Sequence, residues 1–281
     1  MVLGGDLGGT STRILVAGTD GRERGRSIAA AGNPVSHPDG AAAAFGDALR
    51  AALARVDPGQ VEASVIGVAG VSALRTPPVA ARFGRVWADA GLRCDPGYAT
   101  DLEVAFAAGT PGPDGSVLVA GTGGDRRRRD RPPVDADRGW PWLAAGRRRA
   151  GVLARARGRP GRSAPSTSGS PWPPGRRRAP RAGRDRDGDP EARSIVERAA
   201  AALLTILGRI RDPGETTPIL LAGSLTSGTS PVGTTLRALL AGQFAGPVRP
   251  AGTEVGGAAW LALAALDPAL ATRDAHARLC A

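Results

Sequence analysis

Lysine is absent: all 37 basic residues of this 281-residue chain are arginine. The bias suggests a very GC-rich gene. Cysteine is nearly absent too. Cys94 and Cys280 offer neither a disulfide framework nor the close spacing of a metal site. Aromatic residues make up only 4% of the chain, so its cores must be built from Ala, Val, Leu and Ile. Apolar stretches such as Ala199 to Leu207 are too short to span a bilayer. Met1 leads almost directly into a strand, without the charged and apolar regions of a secretory signal. The expectation is a cytoplasmic protein with no membrane partner. The length suggests about two domains, each with its own core.

What is abundant is positive charge, and its placement matters more than its sum of +11. Between Asp125 and Arg186 there are 19 arginines against 5 acids, so the remainder of the chain is mildly acidic. A nucleic-acid-binding module would have to rest on this one stretch. The stretch lacks the interleaved aromatics and the folded frame that organise such a site. Sequence-indifferent, salt-dependent affinity is all that its charge supports. No specific nucleic-acid partner is expected.

The flanking regions are orderly. Val2 to Asp6 reads as a strand, Thr12 to Ala17 as a second after the "LGGT" turn, and a third follows "TDG" near Arg26 to Ala30. Ala41 to Val56 and Val79 to Ala90 have helical spacing. "ASVIGVAG" (Ala63 to Gly70) is an unbroken apolar run, as expected of a strand covered on both faces. "GYAT" is a short strand, and Asp101 opens a helix after it. Order returns after Asp187, with Asp189 and Pro190 starting a helix. "TPILLAGSL" (Thr217 to Leu225) is a strand running into a turn, Ser230 to Leu240 a helix, and "EVGGAAWLALAAL" the last helix. A β-meander followed by alternating helices and strands indicates an α/β fold with a mixed sheet.

Asp125 to Arg186 shows neither the helical nor the strand period. The genetic code offers one explanation. "WLAAGRRRAGVLA" (Trp142 to Ala154) can be encoded so that a start one nucleotide later reads Gly-Trp-Leu-Leu-Gly-Asp-Glu-Gly-Pro-Gly-Phe-Trp-Leu. "GGDRRRRD" (Gly123 to Asp130) similarly shifts to Ala-Ala-Ile-Ala-Ala-Ala-Gly. A shifted frame beginning just after Gly123 and corrected near Arg186 accounts for both matches. The alternative is a native Arg/Pro-rich disordered insert. On either reading a disordered or misfolded segment is expected there.

Three glycine turns carry the chemistry. "GGDLGGTSTR" (Gly4 to Arg13) places a carboxylate at a strand end, two glycines in the turn and hydroxyls beyond it. Gly8 and Gly9 let backbone N–H groups approach phosphate oxygens, Thr10 and Thr12 add hydroxyl donors, and Asp6 is positioned to hold a hydrated Mg²⁺. A plain glycine-rich hairpin is the bland reading. "VLVAGTGG" is a second such turn, with Gly121, Thr122 and Gly123, and "ILLAGSL" a third, with Gly223 and Ser224.

With these motifs the chain resembles the sugar kinase/Hsp70/actin superfamily, and within it the BadF/BadG/BcrA/BcrD-type ATPases that include N-acetylglucosamine kinase. The resemblance covers Met1 to Gly123 and Asp187 to about Ala265. It implies two ribonuclease-H-like (actin-like ATPase) domains around a nucleotide cleft, residues 1–115 and 116–281, with the last helix packing back on the first. It also implies ATP and Mg²⁺ as cofactors and a small-molecule sugar as substrate, with a homodimer possible. "TDLEVAFAAG" resembles the segment that carries the catalytic aspartate, here Asp101. As base it would take the proton of the attacking sugar hydroxyl; its bland reading is a helix cap. Asn33 in "AGNPVSHP" stands where the family contacts the sugar, although a turn residue before Pro34 is nearly as good a reading. The shifted Gly-Asp-Glu-Gly restores that family's acidic sugar motif. A dehydratase-activator branch of the same family carries an iron–sulfur cluster, for which Cys94 and Cys280 form no credible pair. His37 and His276 are isolated in the sequence, and neither receives a role from it.

Overall fold

The computed structural model describes residues 1–120, 152–153 and 190–281. Gly121, Thr122 and Gly123, and nearly all of the stretch assigned above to a shifted frame, lie outside the described residues. Among the described residues no helix is long and apolar enough to cross a membrane.

The first sheet follows from the alternation read in the sequence. β1 (Val2–Leu7), β2 (Thr12–Ala17) and β3 (Glu23–Ala29) form an antiparallel meander, and β4 (Ala63–Val68) and β5 (Gly97–Thr100) extend it in parallel. The strand order is β3-β2-β1-β4-β5. α1 (Ala41–Leu53) and α2 (Pro77–Asp89) cover one face, where Leu3, Ile14, Ile66, Phe45 and Leu49 make the core. Phe45 stacks on Phe83 and Trp87, so three of the few aromatic side chains share one cluster. α1 ends before Val56 because the Val56 N–H closes a tighter turn on the Leu53 carbonyl, and Asp57 then caps a short 3₁₀ turn.

The second sheet is wholly parallel. β6 (Ser116–Val119), β7 (Val152–Leu153), β8 (Ile219–Ala222) and β9 (Val248–Pro250) lie in the order β7-β6-β8-β9. β7 falls inside the stretch that the sequence left without a period. α4 (Pro190–Leu207) and α5 (Pro231–Gln243) pack on one face through Leu203, Leu207, Leu236 and Leu240.

Two helices join the sheets. α3 (Asp101–Gly109) follows β5 and leads to β6, with Ala105 and Phe106 on the second sheet. α6 (Glu254–Leu266) follows β9 and returns to the first sheet, against β1 and β4. Its approach is close: a Cβ on Gly4 would lie 2.3 Å from the Ala259 nitrogen. α3 and α6 also cross tightly, since a Cβ on Gly257 would lie 2.2 Å from the Val104 carbonyl oxygen. Glycines at these points let backbone meet backbone.

The sequence missed β9 and a helix after α6. β9 has three residues and ends in proline, too short for a period-2 signal. α7 (Arg273–Cys280) buries only Ala275, His276, Leu279 and Cys280, against α6 and the first core. Its purpose is visible at the C-terminus of α3. Residue 111 is proline, so the Ala107 carbonyl has no N–H four residues on. His276 Nε2 donates to it at 2.7 Å, with the ring edge-on to Trp260. Burial pushes the His276 pKa below its ordinary value of 6.5, which keeps the ring neutral. His276→Phe should retain the packing and orphan the carbonyl, lowering stability by about 1–3 kcal/mol in urea denaturation. An unchanged midpoint would show that water replaces the ring.

Candidate functional site

The β1–β2 hairpin builds the first turn. Leu7 and Thr12 are its last strand pair, and the Gly8 N–H closes the loop on the Ser11 carbonyl at 3.0 Å. Gly8 is thus a turn-former whose N–H is already spent. Gly9 and Thr10 project outward, and their N–H groups have no partner among the described residues. A Cβ on Gly9 would meet only the Ser36 Oγ, at 3.7 Å, so the tip is open. Thr12 does not fit the role of phosphate donor. It is fully buried, and its hydroxyl donates to the Ala30 carbonyl at 2.8 Å, which ties the end of β3 to β2. Alternation along β2 turns Thr12 inward while its neighbour Arg13 faces the other way.

Arg13 is the cross-strand partner of Asp6, and its Nη1 donates to Asp6 Oδ2 at 3.1 Å. Despite this ion pair the Asp6 carboxyl is pushed up to about 6. Burial is the main cause, followed by the negative charge of Glu254, with Asp101 adding a smaller push. Arg13 pulls in the opposite direction but, at 42% side-chain exposure, shares its charge with solvent. Glu254 is the first residue of α6, just beyond β9. The start of α6 lies against β1, since a Cβ on Gly4 would come 2.4 Å from the Val255 carbonyl oxygen. Nothing in the sequence pairs Glu254 with Asp6, since 248 residues separate them.

Asp101 lies on the same edge as Asp6. β1, β4 and β5 are parallel, with Leu7 opposite Val68 and Val68 opposite Thr100. Two strand spacings therefore separate the Asp6 and Asp101 rows, about 10 Å. The strand between them carries Gly67 beside Asp6, where a Cβ would strike Val104. The capping role that Asp101's position suggests belongs instead to Thr100. Its Oγ1 accepts the Glu103 N–H at 3.2 Å, and Glu103 Oε2 accepts the Thr100 N–H at 2.7 Å. Asp101 is the first residue inside the helix, and the cap does not need its carboxylate.

Asn33 is buried and occupied within its own loop. Its Nδ2 donates to the Ala69 carbonyl at 2.8 Å, and its Oδ1 accepts the N–H groups of Val35 and Ser36. These are the bonds of a turn residue before proline. Beside this loop lies an open recess of about 660 Å³, rimmed by Ser36, His37, Asp39 and Asp47. Its rim offers both donors and acceptors to a hydroxylated ligand.

The third turn leaves β8 at Gly223. This residue has φ +88°, and a Cβ there would lie 2.3 Å from the Ala120 oxygen. Glycine is required on both counts. The Leu225 N–H donates to that same Ala120 oxygen, which binds the third turn to the end of β6, where the second turn begins. Ser224 is exposed at the tip. The two cysteines sit on opposite faces of the first sheet, and burial pushes the Cys280 thiol up to about 12. They cannot share a cluster within one chain. Among the described residues no three His, Cys, Asp or Glu side chains are grouped to hold a metal. A Mg²⁺ that keeps most of its waters and meets phosphate oxygens needs only one or two carboxylates, however. Asp6, crowded by negative charge, fits that mode of binding.

No family model and no curated protein matches the chain. Solved structures do. A ROK family glucokinase from Streptomyces griseus, solved with glucose and AMPPNP, aligns with a TM-score of 0.50 at 18% identity, covering 93% of this chain and 98% of its own. A ROK hexokinase from Thermus thermophilus aligns with a TM-score of 0.51 at 18% identity, over 95% and 99%. A Chromobacterium violaceum protein assigned as an N-acetylglucosamine kinase aligns with a TM-score of 0.51 at 16% identity, over 93% and 98%. The two-sheet α/β fold of this chain is the fold of these sugar kinases.

Proposed function

We propose that the chain is an ATP-dependent phosphotransferase of the BadF/BadG/BcrA/BcrD type, with an amino sugar, N-acetylglucosamine foremost, as acceptor. The observation that carries this reading is the largely buried Asp6 carboxylate at the end of β1, directly before the first glycine turn, under the electrostatic influence of Glu254 at the start of α6 and of Asp101 beyond β5 in the same sheet. Ligands of open α/β sheets bind at such strand ends.

In this reading the Gly9 and Thr10 N–H groups and the Thr10 hydroxyl bind phosphate oxygens. Gly223 and Ser224 hold the adenosine end, and Gly121 to Gly123 the remaining phosphates. Asp6 holds Mg²⁺, which when bound neutralises charge on the transferring phosphoryl group. Asp101 accepts the proton of the attacking hydroxyl, and Asn33 shapes the loop beside the acceptor. Transfer of this kind depends on positioning and charge more than on covalent chemistry, so few side chains suffice. In the chain as written, Arg147, Arg148 and Arg149 stand where the shifted frame has an acidic turn. They are donors only, and sugar hydroxyls need acceptors. Nucleotide binding is therefore proposed for the chain as written, and efficient sugar phosphorylation for its frame-restored form.

The test is calorimetry with Mg-ATP on the full chain. Asp6→Ala should weaken binding by at least about tenfold, as loss of a charged contact does. Asn33→Ala should cost clearly less. Equal, small losses for both would remove Asp6 from the site.

A further inference from the structure

The tip of the first turn should be loose. Gly8 and Gly9 carry no side chain, Gly9 and Thr10 are exposed, and the one bond within the loop closes Gly8 on Ser11. One side chain reaches it from elsewhere: His37 Nε2 stands 3.0 Å from the Gly9 carbonyl oxygen and donates to it. His37 is itself anchored. Its N–H donates to the Asn33 carbonyl and its own carbonyl accepts the Ala41 N–H, while the Asn33 side chain is fixed to Ala69 at the end of β4. A chain of hydrogen bonds thus runs from the sheet edge to the turn.

The bond has a directional consequence. The Gly9 carbonyl and the Thr10 N–H belong to one peptide unit, and the described backbone contains no cis bond. In a trans peptide these two groups point in opposite directions. A carbonyl held toward His37 therefore aims the Thr10 N–H away from it. Without the imidazole this peptide, with Gly9 on one side and exposed Thr10 on the other, loses its one side-chain restraint among the described residues and can tilt its carbonyl toward the site, which repels an anion.

We propose that His37 is a positioning residue for phosphate: by holding the Gly9 carbonyl it orients the Gly9–Thr10 peptide so that the Thr10 N–H faces the nucleotide's phosphates. The proposal rests on the nucleotide-binding reading above and adds a residue outside its motifs. The acidic surroundings of the site make this orientation matter, because a peptide presenting its oxygen there would add to the negative charge.

The experiment is calorimetry on the full chain with two probes, Mg-ATP and adenosine. His37→Ala should weaken Mg-ATP by about fivefold, the range of one lost hydrogen bond, and leave adenosine unchanged. His37→Gln, whose amide N–H stands where Nε2 did, should restore Mg-ATP affinity to within about twofold of the native chain. The melting temperature should not move, since His37 is exposed. Full Mg-ATP affinity in His37→Ala would overturn the proposal, as would an equal loss of adenosine or failure of glutamine to rescue. A native chain that binds adenosine and Mg-ATP equally well overturns it too. A native chain that binds neither probe would overturn the nucleotide reading itself.

Discussion

Asp101→Asn, placed in a chain whose residues 124–186 are re-read one nucleotide later, is expected to lower N-acetylglucosamine phosphorylation by about 10²–10⁴-fold. Asparagine keeps the shape and the hydrogen-bonding reach of the side chain but cannot take a proton. The helix start should survive, because the cap is made by Thr100 and Glu103 and not by Asp101. Mg-ATP affinity should also survive, since the proposed nucleotide contacts lie on the glycine turns and at Asp6. A coupled assay of ADP release, run beside calorimetry, separates the two quantities. Turnover unchanged by the substitution would leave Asp101 without a chemical role. The chain as written is the second arm of the comparison and should show negligible turnover. A buried polar group left without a partner costs about 1–3 kcal/mol, and on the proposed reading the chain as written supplies arginine donors where the shifted frame supplies acidic acceptors. Efficient phosphorylation by the chain as written would make the arginine-rich segment a native part of the site and remove the shifted frame as its explanation.

Asp6→Asn should make the protein more stable at pH 8 in metal-free buffer while weakening Mg²⁺-dependent nucleotide affinity by at least about tenfold. The Asp6 carboxyl rises from an ordinary 3.8 to about 6 in the folded chain, so folding favours its neutral form. Well below pH 3.8, at about pH 2.5, the carboxyl is protonated in both states and the fold is not penalised. As pH rises through about 6 the folded chain must carry a buried charge that the unfolded chain carries in water. A difference of about two pKa units corresponds to roughly 3 kcal/mol. Asparagine is neutral throughout and can still accept from Arg13. The gain should therefore be about 3 kcal/mol at pH 8 and near zero at about pH 2.5, read from urea midpoints. Equal stability of the two proteins at pH 8 would mean that the carboxylate is better solvated than its surroundings indicate. A residue that weakens the empty fold is what a ligand site is expected to contain.

The local signals were those that short-range physics writes into a sequence. Val2–Leu7, Thr12–Ala17 and the doubly covered β4 are visible because alternation and unbroken apolar runs depend only on neighbours in the chain. Gly223 of the third turn marks a backbone that excludes a Cβ, whereas Gly9 of the first turn leaves room for one and is legible only as part of a glycine-rich turn. By the same logic Asp6 and Asp101, each at the end of a strand, could be picked out before the strands were known to share one sheet, with β4 between them. Tertiary structure decided everything that joins distant segments. Thr12 and Asp6 belong to one motif, yet the pleat buries one hydroxyl and leaves the other side chain at the edge. Glu254 acquires its effect on Asp6 because α6 returns from the second sheet to the first. His276 has a purpose because Pro111 deprives a carbonyl of its helical partner 169 residues earlier in the chain. His37, isolated in the sequence, meets Gly9 only because the Asn33 loop folds over the hairpin. Sequence periodicity records which way a side chain points, whereas the partner waiting there is set by how sheets and helices close on one another.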